Sequence, residues 1–201
     1  MDTKAGFMQR HPQLKDALSL IGFAMVVVLG TVILNTFVFR SYNVVGSSME
    51  GTLSPDDRII VNRLPVTIAH LQNRPFQPQR GQIVVFTNPK MGSSDNEQYL
   101  IKRVIAFAGE RVLIEDGTIT VFNEDNPNGF DPDIYSNGGP KADTSGSHDI
   151  TVPENEIFVA GDNRAGTNSY DSRNGLGTVP LYEVIGPASV RIFPFTQIRL
   201  F

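Results

Sequence analysis

The chain contains no cysteine. That absence excludes a disulfide framework, thiol catalysis and any thiolate metal site, while leaving the compartment open. Basic residues are in short supply: 17 Lys and Arg stand against 21 Asp and Glu, a formal net charge of -4 with a pI near 5.3. A nucleic-acid binder would show a basic face, so no nucleic-acid partner is expected. Histidine is scarce, at His11, His70 and His148 only. None of the three clusters with carboxylates as metal ligands would, and all read as surface residues. No metal and no cofactor is expected. The composition is also not that of a helical bundle, because 18 Gly and 13 Pro favour turns. At 201 residues there is room for one domain, or a small domain with an appendage.

Residues 17–39 form the longest stretch without charge: ALSLIGFAMVVVLGTVILNTFVF, 23 residues with no Asp, Glu, Lys or Arg. As a helix it spans about 35 Å, enough for a hydrocarbon core of roughly 30 Å. A core helix should show a polar stripe, and none is present. A cleaved signal peptide should have a shorter apolar region ending at an A-x-A-like site. Here Phe39-Arg40-Ser41-Tyr42 follows instead, so the segment reads as a retained single-pass anchor. Lys4, Arg10 and Lys15 precede it and only Arg40 follows closely. The positive-inside bias then puts residues 1–16 in the cytoplasm and residues 40–201 outside. Charge divides the same way. Residues 1–40 carry four basic and two acidic side chains, and residues 41–201 carry 13 and 19.

Beyond Arg40 the pattern changes to short β-type runs broken by turn residues. Strands are expected at residues 42–45, 58–62, 82–87, 100–107, 111–115, 118–122, 156–160 and 184–193. Asp116-Gly117 between two of them marks a hairpin. No amphipathic helix is apparent there, and no internal repeat. The fold class is therefore mainly β: one N-terminal transmembrane helix, then a β-rich exterior catalytic domain of short strands. Residues 123–149, rich in Asn, Asp, Gly, Pro and Ser, read as a long polar loop or small excursion. Its acidic residues lack the spacing of a calcium loop.

Chemistry concentrates at Gly46-Ser47-Ser48-Met49-Glu50-Gly51-Thr52-Leu53. A serine hydroxyl needs a base to become a nucleophile. That base can be a lysine whose ammonium is disfavoured by burial. Lys102 lies in the apolar run Tyr99-Leu100-Ile101-Lys102-Arg103-Val104-Ile105, where a strand can withdraw it from water. The bland alternative is a solvated surface lysine and an ordinary Ser-Ser-Met turn.

Four ordered segments resemble the boxes of type I signal peptidases. The stretch from Gly46 to Leu53 looks like the nucleophile box, with Ser48 before Met49. Asp57-Arg58-Ile59-Ile60-Val61-Asn62-Arg63 is similar to the strand that follows it. Lys102-Arg103-Val104-Ile105-Ala106-Phe107-Ala108-Gly109-Glu110 looks like the lysine box. Gly161-Asp162-Asn163-Arg164 with Ser169-Tyr170-Asp171-Ser172-Arg173 resembles the C-terminal box. The anchor in front of all four fits as well.

The resemblance implies roles for individual residues. Ser48 is the nucleophile and Lys102 its general base. Ser169 orients the lysine amine, and Asp171 with Arg173 forms a supporting ion pair. Asp162, Asn163 and Arg164 form the turn carrying that wall. The Ser48 N–H is the first oxyanion donor. Some family members add a serine hydroxyl two residues earlier, where this chain has Gly46 and no hydroxyl. Substrate is expected to pair with strand edges at residues 42–45 and 99–101. Val44, Met49, Leu53 and Ile101 would line a small apolar pocket for alanine-sized residues, matching the A-x-A pattern. Two departures stand out. Gly51 replaces the usual proline, and Ala165-Gly166-Thr167-Asn168 lengthens the last box, so Thr167 or Ser172 could take the place of Ser169.

The expected function is cleavage of signal peptides from translocated preproteins at membrane height. The expected partners are secretory preproteins, membrane lipid and, by proximity, the protein translocation machinery. The alternatives are a specialised Ser–Lys maturation peptidase for one pilin-like or conjugation substrate, and a nonenzymatic anchored β binding domain. An autocleaving repressor would need a DNA-binding module and no anchor.

Overall fold

The computed structural model describes residues 12–90, 99–137, 139–140 and 142–201. Lys4, Arg10 and His11 lie outside the described residues, as do Gly138 and Lys141 of the polar excursion. The chain divides into two units at the Val38–Phe39 junction.

The first unit is one helix. α1 (Pro12–Ile33) continues as a π-helical stretch, Leu34–Val38. By length and composition Gln13–Val38 is apolar enough to cross a membrane, and its large side chains are exposed, Leu20 and Val26 among them. The polar groups within it turn inward on the helix. Thr31 Oγ1 donates to the Val27 carbonyl at 2.9 Å, and Asn35 Nδ2 to the Thr31 carbonyl at 3.0 Å. Such i to i−4 bonds keep a polar side chain satisfied where no water is available.

The second unit is mainly β. Among the described residues eight strands join in the order β1-β2-β10-β3-β4-β8-β9, with β11 paired to β10. They are β1 (Phe39–Asn43), β2 (Arg58–Asn62), β3 (Ile83–Thr87), β4 (Tyr99–Phe107), β8 (Glu156–Ala160), β9 (Val179–Pro180), β10 (Val184–Phe193) and β11 (Arg199–Leu200). A second sheet has the order β6-β5-β7, from β5 (Arg111–Glu115), β6 (Thr118–Phe122) and β7 (His148–Thr151). All strand pairings among the described residues are antiparallel. β10 is the hinge of the larger sheet. Its first half pairs with β3 and its second half with β2, with register shifts along both. Pro187 lies where the partner changes, a place where a missing N–H is tolerated.

Period-two alternation places the core. In β3, Val84 and Phe86 enter one cluster with Leu100, Val104, Ile157 and Val159, while Ile83 and Val85 enter another with Val44, Met49, Leu53, Ile59 and Val61. Burial on both faces explains the unbroken Ile-Val-Val-Phe run. In the smaller sheet Val112, Ile114, Ile119 and Val121 pack on Phe158 and Ala160 of β8. Asp116 and Gly117, at φ +50° and +81°, close the β5–β6 hairpin in register Glu115↔Thr118, as Asp-Gly predicts.

Two local expectations fail. The strand expected at residues 42–45 begins at Phe39 and ends at Asn43, because all five residues find partners on β2. The absence of a helix after Arg40 is also corrected, since α2 (Leu64–Leu71) follows β2. It has proline in its first turn, buries Val66 and Ala69, and exposes Leu64, Ile68 and Leu71. With Thr67 and His70 the two polar residues among eight, so short a helix carries little amphipathic signal.

Candidate active site

Immediately after β1 the chain bends away from the sheet. Val44 remains tied to the β2 side, donating its N–H to the Asp57 carbonyl at 2.8 Å and accepting from Asp56 N–H at 3.0 Å. Gly46 follows at φ +78°. The loop then coils: Glu50 N–H donates to the Ser47 carbonyl at 3.0 Å, and Leu53 N–H to the Met49 carbonyl at 2.8 Å. Met49 and Leu53, 0% and 1% exposed, are plugged into the core beneath and leave Ser48 half-buried at the surface. Gly51 sits at φ +105°. Proline cannot adopt that angle, so this turn has a different backbone from one built on proline.

Lys102 comes from the middle of β4 and is 2% exposed. Its Nζ donates to Ser48 Oγ at 2.8 Å and to the Ile101 carbonyl at 2.8 Å. Next to it, Arg103 is equally buried. It donates to both carboxylate oxygens of Asp162, to the Gly81 carbonyl at 2.6 Å and to Thr52 Oγ1 at 3.3 Å. A guanidinium so enclosed needs its donors satisfied, and here four oxygens accept from it.

Residues 161–173 form the wall behind the pair. Asn163 N–H donates to the Ser48 carbonyl at 3.0 Å and its Nδ2 to the Ser47 carbonyl at 3.2 Å. Arg164, wholly buried, reaches the Gly161 carbonyl, Thr144 Oγ1 and both oxygens of Asp133. Asp171 takes Arg173 at 2.7 Å and the Gly161 N–H at 2.8 Å. Arg173 also donates to the Arg164 carbonyl at 3.1 Å. Gly161 packs so closely that a Cβ there would collide with the Ser48 carbonyl and Ser169 Oγ. Ser169 Oγ is buried and makes no hydrogen bond, so the structure brings it to the site without joining it to Lys102. Of its two possible substitutes, Ser172 Oγ already accepts from Val159 N–H at 2.9 Å, and Thr167 is exposed.

A cleft of about 690 Å³ opens over Ser48 and Lys102. One side is formed by Tyr42, Val44 and Val45, the other by Tyr99, Leu100 and Ile101, with Asn168 and Tyr170 at a further edge. Val44 and Ile101 line it. Met49 and Leu53 do not, since both point into the core. Both flanking strands offer a free edge among the described residues. β1 pairs only with β2, and β8 pairs with β4 only from Arg103 onward.

Residues 14–193 match the family model described as signal peptidase, peptidase S26. The chain belongs to the signal peptidase family. Among its relatives, "Signal peptidase I" of Bacillus amyloliquefaciens is 33% identical over 185 residues, covering 87% of each chain. "Signal peptidase I T" of Bacillus subtilis (strain 168) is 33% identical over 183 residues, covering 87% of this chain and 84% of that one. "Probable signal peptidase I-2" of Synechocystis is 33% identical and covers 83% and 69%. A crystal structure of a signal peptidase I from Enterococcus faecalis V583 is 30% identical, with a TM-score of 0.41, covering 55% of this chain and 96% of that one. The chain is accordingly a serine peptidase, a hydrolase whose family acts on preproteins bearing signal peptides.

Sequence reasoning overlooked several residues around this signal peptidase's cleft. Asp133 and Thr144, from the polar excursion, hold Arg164. Arg40 lies over both Tyr42 and Tyr99, at 5.3 and 5.4 Å from the ring centroids, and the two rings meet edge-on at 5.3 Å. Burial pushes the Tyr42 phenol above its ordinary pKa, against the opposing pull of Arg40. Only Arg103 carried a usable signal: an arginine inside an apolar strand must find a buried partner.

Proposed function

We propose that Ser48 and Lys102 form a Ser–Lys dyad that cleaves signal peptides after small residues through an acyl-enzyme. The observation that carries this is the 2.8 Å hydrogen bond from Lys102 Nζ to Ser48 Oγ on a lysine that is 2% exposed. Withdrawal from water favours the neutral amine, the form that can accept a proton. Neutral Lys102 takes the Ser48 proton as Oγ bonds to the scissile carbonyl carbon. The Ser48 N–H stabilises the resulting oxyanion. Lys102 returns the proton to the leaving amine, the C–N bond breaks and an ester remains on Ser48. Water, deprotonated by Lys102, then releases the acid and restores the hydroxyl. Ser169, Asp171 and Arg173 support the wall behind this exchange.

The preprotein lies extended in the cleft, adding a strand between the free edges of β1 and β4. Val44 and Ile101 face the small side chains of the A-x-A pattern, and bulky ones are refused by lack of room. The helix Gln13–Val38 serves as the anchor, with the N-terminus in the cytoplasm and the catalytic unit outside. Membrane lipid and the translocation machinery are its neighbours there.

Full-length protein in detergent, incubated with a preprotein whose signal peptide ends in A-x-A, tests the specificity. The product N-terminus should map to the bond after the second Ala. Replacing either Ala by Phe should reduce cleavage at least 100-fold. Equal cleavage of the Phe forms, or a cut elsewhere, would refute it.

A further inference from the structure

Asn163 contacts the Ser48 loop twice. Its main-chain N–H donates to the Ser48 carbonyl at 3.0 Å, and its side-chain Nδ2 donates to the Ser47 carbonyl at 3.2 Å. These carbonyls belong to the two peptide planes that flank the Ser48 Cα. A trans peptide is planar, and its C=O and N–H point in opposite directions. Holding the Ser47 carbonyl therefore sets the direction of the Ser48 N–H, which shares its plane. The carboxamide of Asn163 is itself oriented, since Oδ1 accepts from Asn168 Nδ2 at 3.3 Å. The platform beneath it is stiff: Arg103 grips Asp162, and Asp171 takes the Gly161 N–H.

We propose that Asn163 is a positioning residue for the oxyanion hole, its carboxamide aiming the Ser48 N–H at the charge that develops on the scissile carbonyl. This rests on the reading of Ser48 as nucleophile. With glycine at position 46, no hydroxyl two residues upstream shares the task, so the aim of the main-chain donor matters more. A misdirected donor weakens binding only where the negative charge exists, in the transition state and not in the bound substrate.

The test uses Asn163→Asp in the full chain. It keeps the size of the side chain and the main-chain bond to Ser48, but a carboxylate cannot donate to the Ser47 carbonyl. Against an A-x-A peptide kcat should fall about 10–100-fold, while KM stays within about twofold. A peptide aldehyde, to which Ser48 adds to form a tetrahedral oxyanion, should bind more weakly by a matching factor. The corresponding peptide amide, which forms no oxyanion, should bind as before. Asn163→Ala should behave alike, and it is the variant to read if the aspartate form does not fold. An unchanged kcat overturns the proposal. So do a rise in KM and a loss of amide affinity as large as the loss in kcat, since the cleft as a whole would then be distorted. Ser48→Ala is measured alongside. If it still cleaves, the nucleophile assignment fails and takes this proposal with it. If it is inactive while both Asn163 variants match wild type, only the role of Asn163 fails.

Discussion

Arg103 and Asp162 meet through two hydrogen bonds of 2.8 and 2.5 Å, with side chains 3% and 0% exposed. The pair ties the strand that carries Lys102 to the segment that touches Ser48. Removing one partner of a buried pair leaves an uncompensated charge and costs about 3–5 kcal/mol. Asp162→Ala should lose that much in denaturant unfolding and lose cleavage with it. Replacing Arg103 and Asp162 together by apolar residues of similar volume should recover much of the stability but not the cleavage. A single variant as stable as wild type would contradict this.

Gly161 is the second junction. Alanine there places a methyl group against Ser169 Oγ and the Ser48 carbonyl, the latter main chain that cannot easily yield. Overpacking of this kind costs about 1–3 kcal/mol. Gly161→Ala should unfold earlier by that amount while cleavage falls more than tenfold, because the shift occurs at Ser48 itself. Cleavage at the wild-type rate would show that the loop can move without consequence.

Glu110, which does not line the cleft, predicts an acid dependence of stability. Burial pushes its carboxyl up, but hydrogen bonds from Arg80, Asn123 and the Phe107 N–H outweigh this and hold it below the ordinary value. A carboxyl depressed in the folded state contributes stability above its unfolded pKa of about 4.3 and loses it as pH falls through the folded value. Wild type should therefore exceed Glu110→Gln in unfolding free energy at neutral pH, and the gap should close below about pH 4.3. Parallel curves across that range would remove Glu110 as a contributor.

Asp133, from the excursion, forms an ion pair with Arg164, which is wholly buried. Asp133→Ala should destabilise the protein and speed proteolytic cutting within residues 123–149. Those changes would appear as an earlier thermal midpoint and a faster first cut; unchanged cutting would mean that the pair does not hold the excursion.

Much of this fold is legible from local pattern. Five strands, among them Arg111–Glu115, Thr118–Phe122 and Glu156–Ala160, lie at their expected residues because alternation and the Asp-Gly turn bound them tightly. The helix Leu64–Leu71 was not legible, since it is short and Thr67 and His70 are its two polar residues. The relation of Ser48 to Lys102 was legible only through the ordered boxes. Nothing in a separation of 54 positions predicts a hydrogen bond. The long-range polar contacts escaped for that same reason. Asp133 reads as one more acid in a polar stretch, and Asn163 lies 116 positions from the Ser47 carbonyl it holds. Only the folded chain brings such groups together.

The dyad is tested most directly by cleavage of an A-x-A preprotein with full-length wild type, Ser48→Ala and Lys102→Ala in detergent, each checked for folding by its thermal midpoint. Wild type should cut at the A-x-A site and both folded variants should be reduced at least 1,000-fold, the order expected when a unit of nucleophile and base is broken. Sustained cleavage by a folded Lys102→Ala would mean that another group takes the proton, and sustained cleavage by Ser48→Ala would remove the nucleophile on which the mechanism rests.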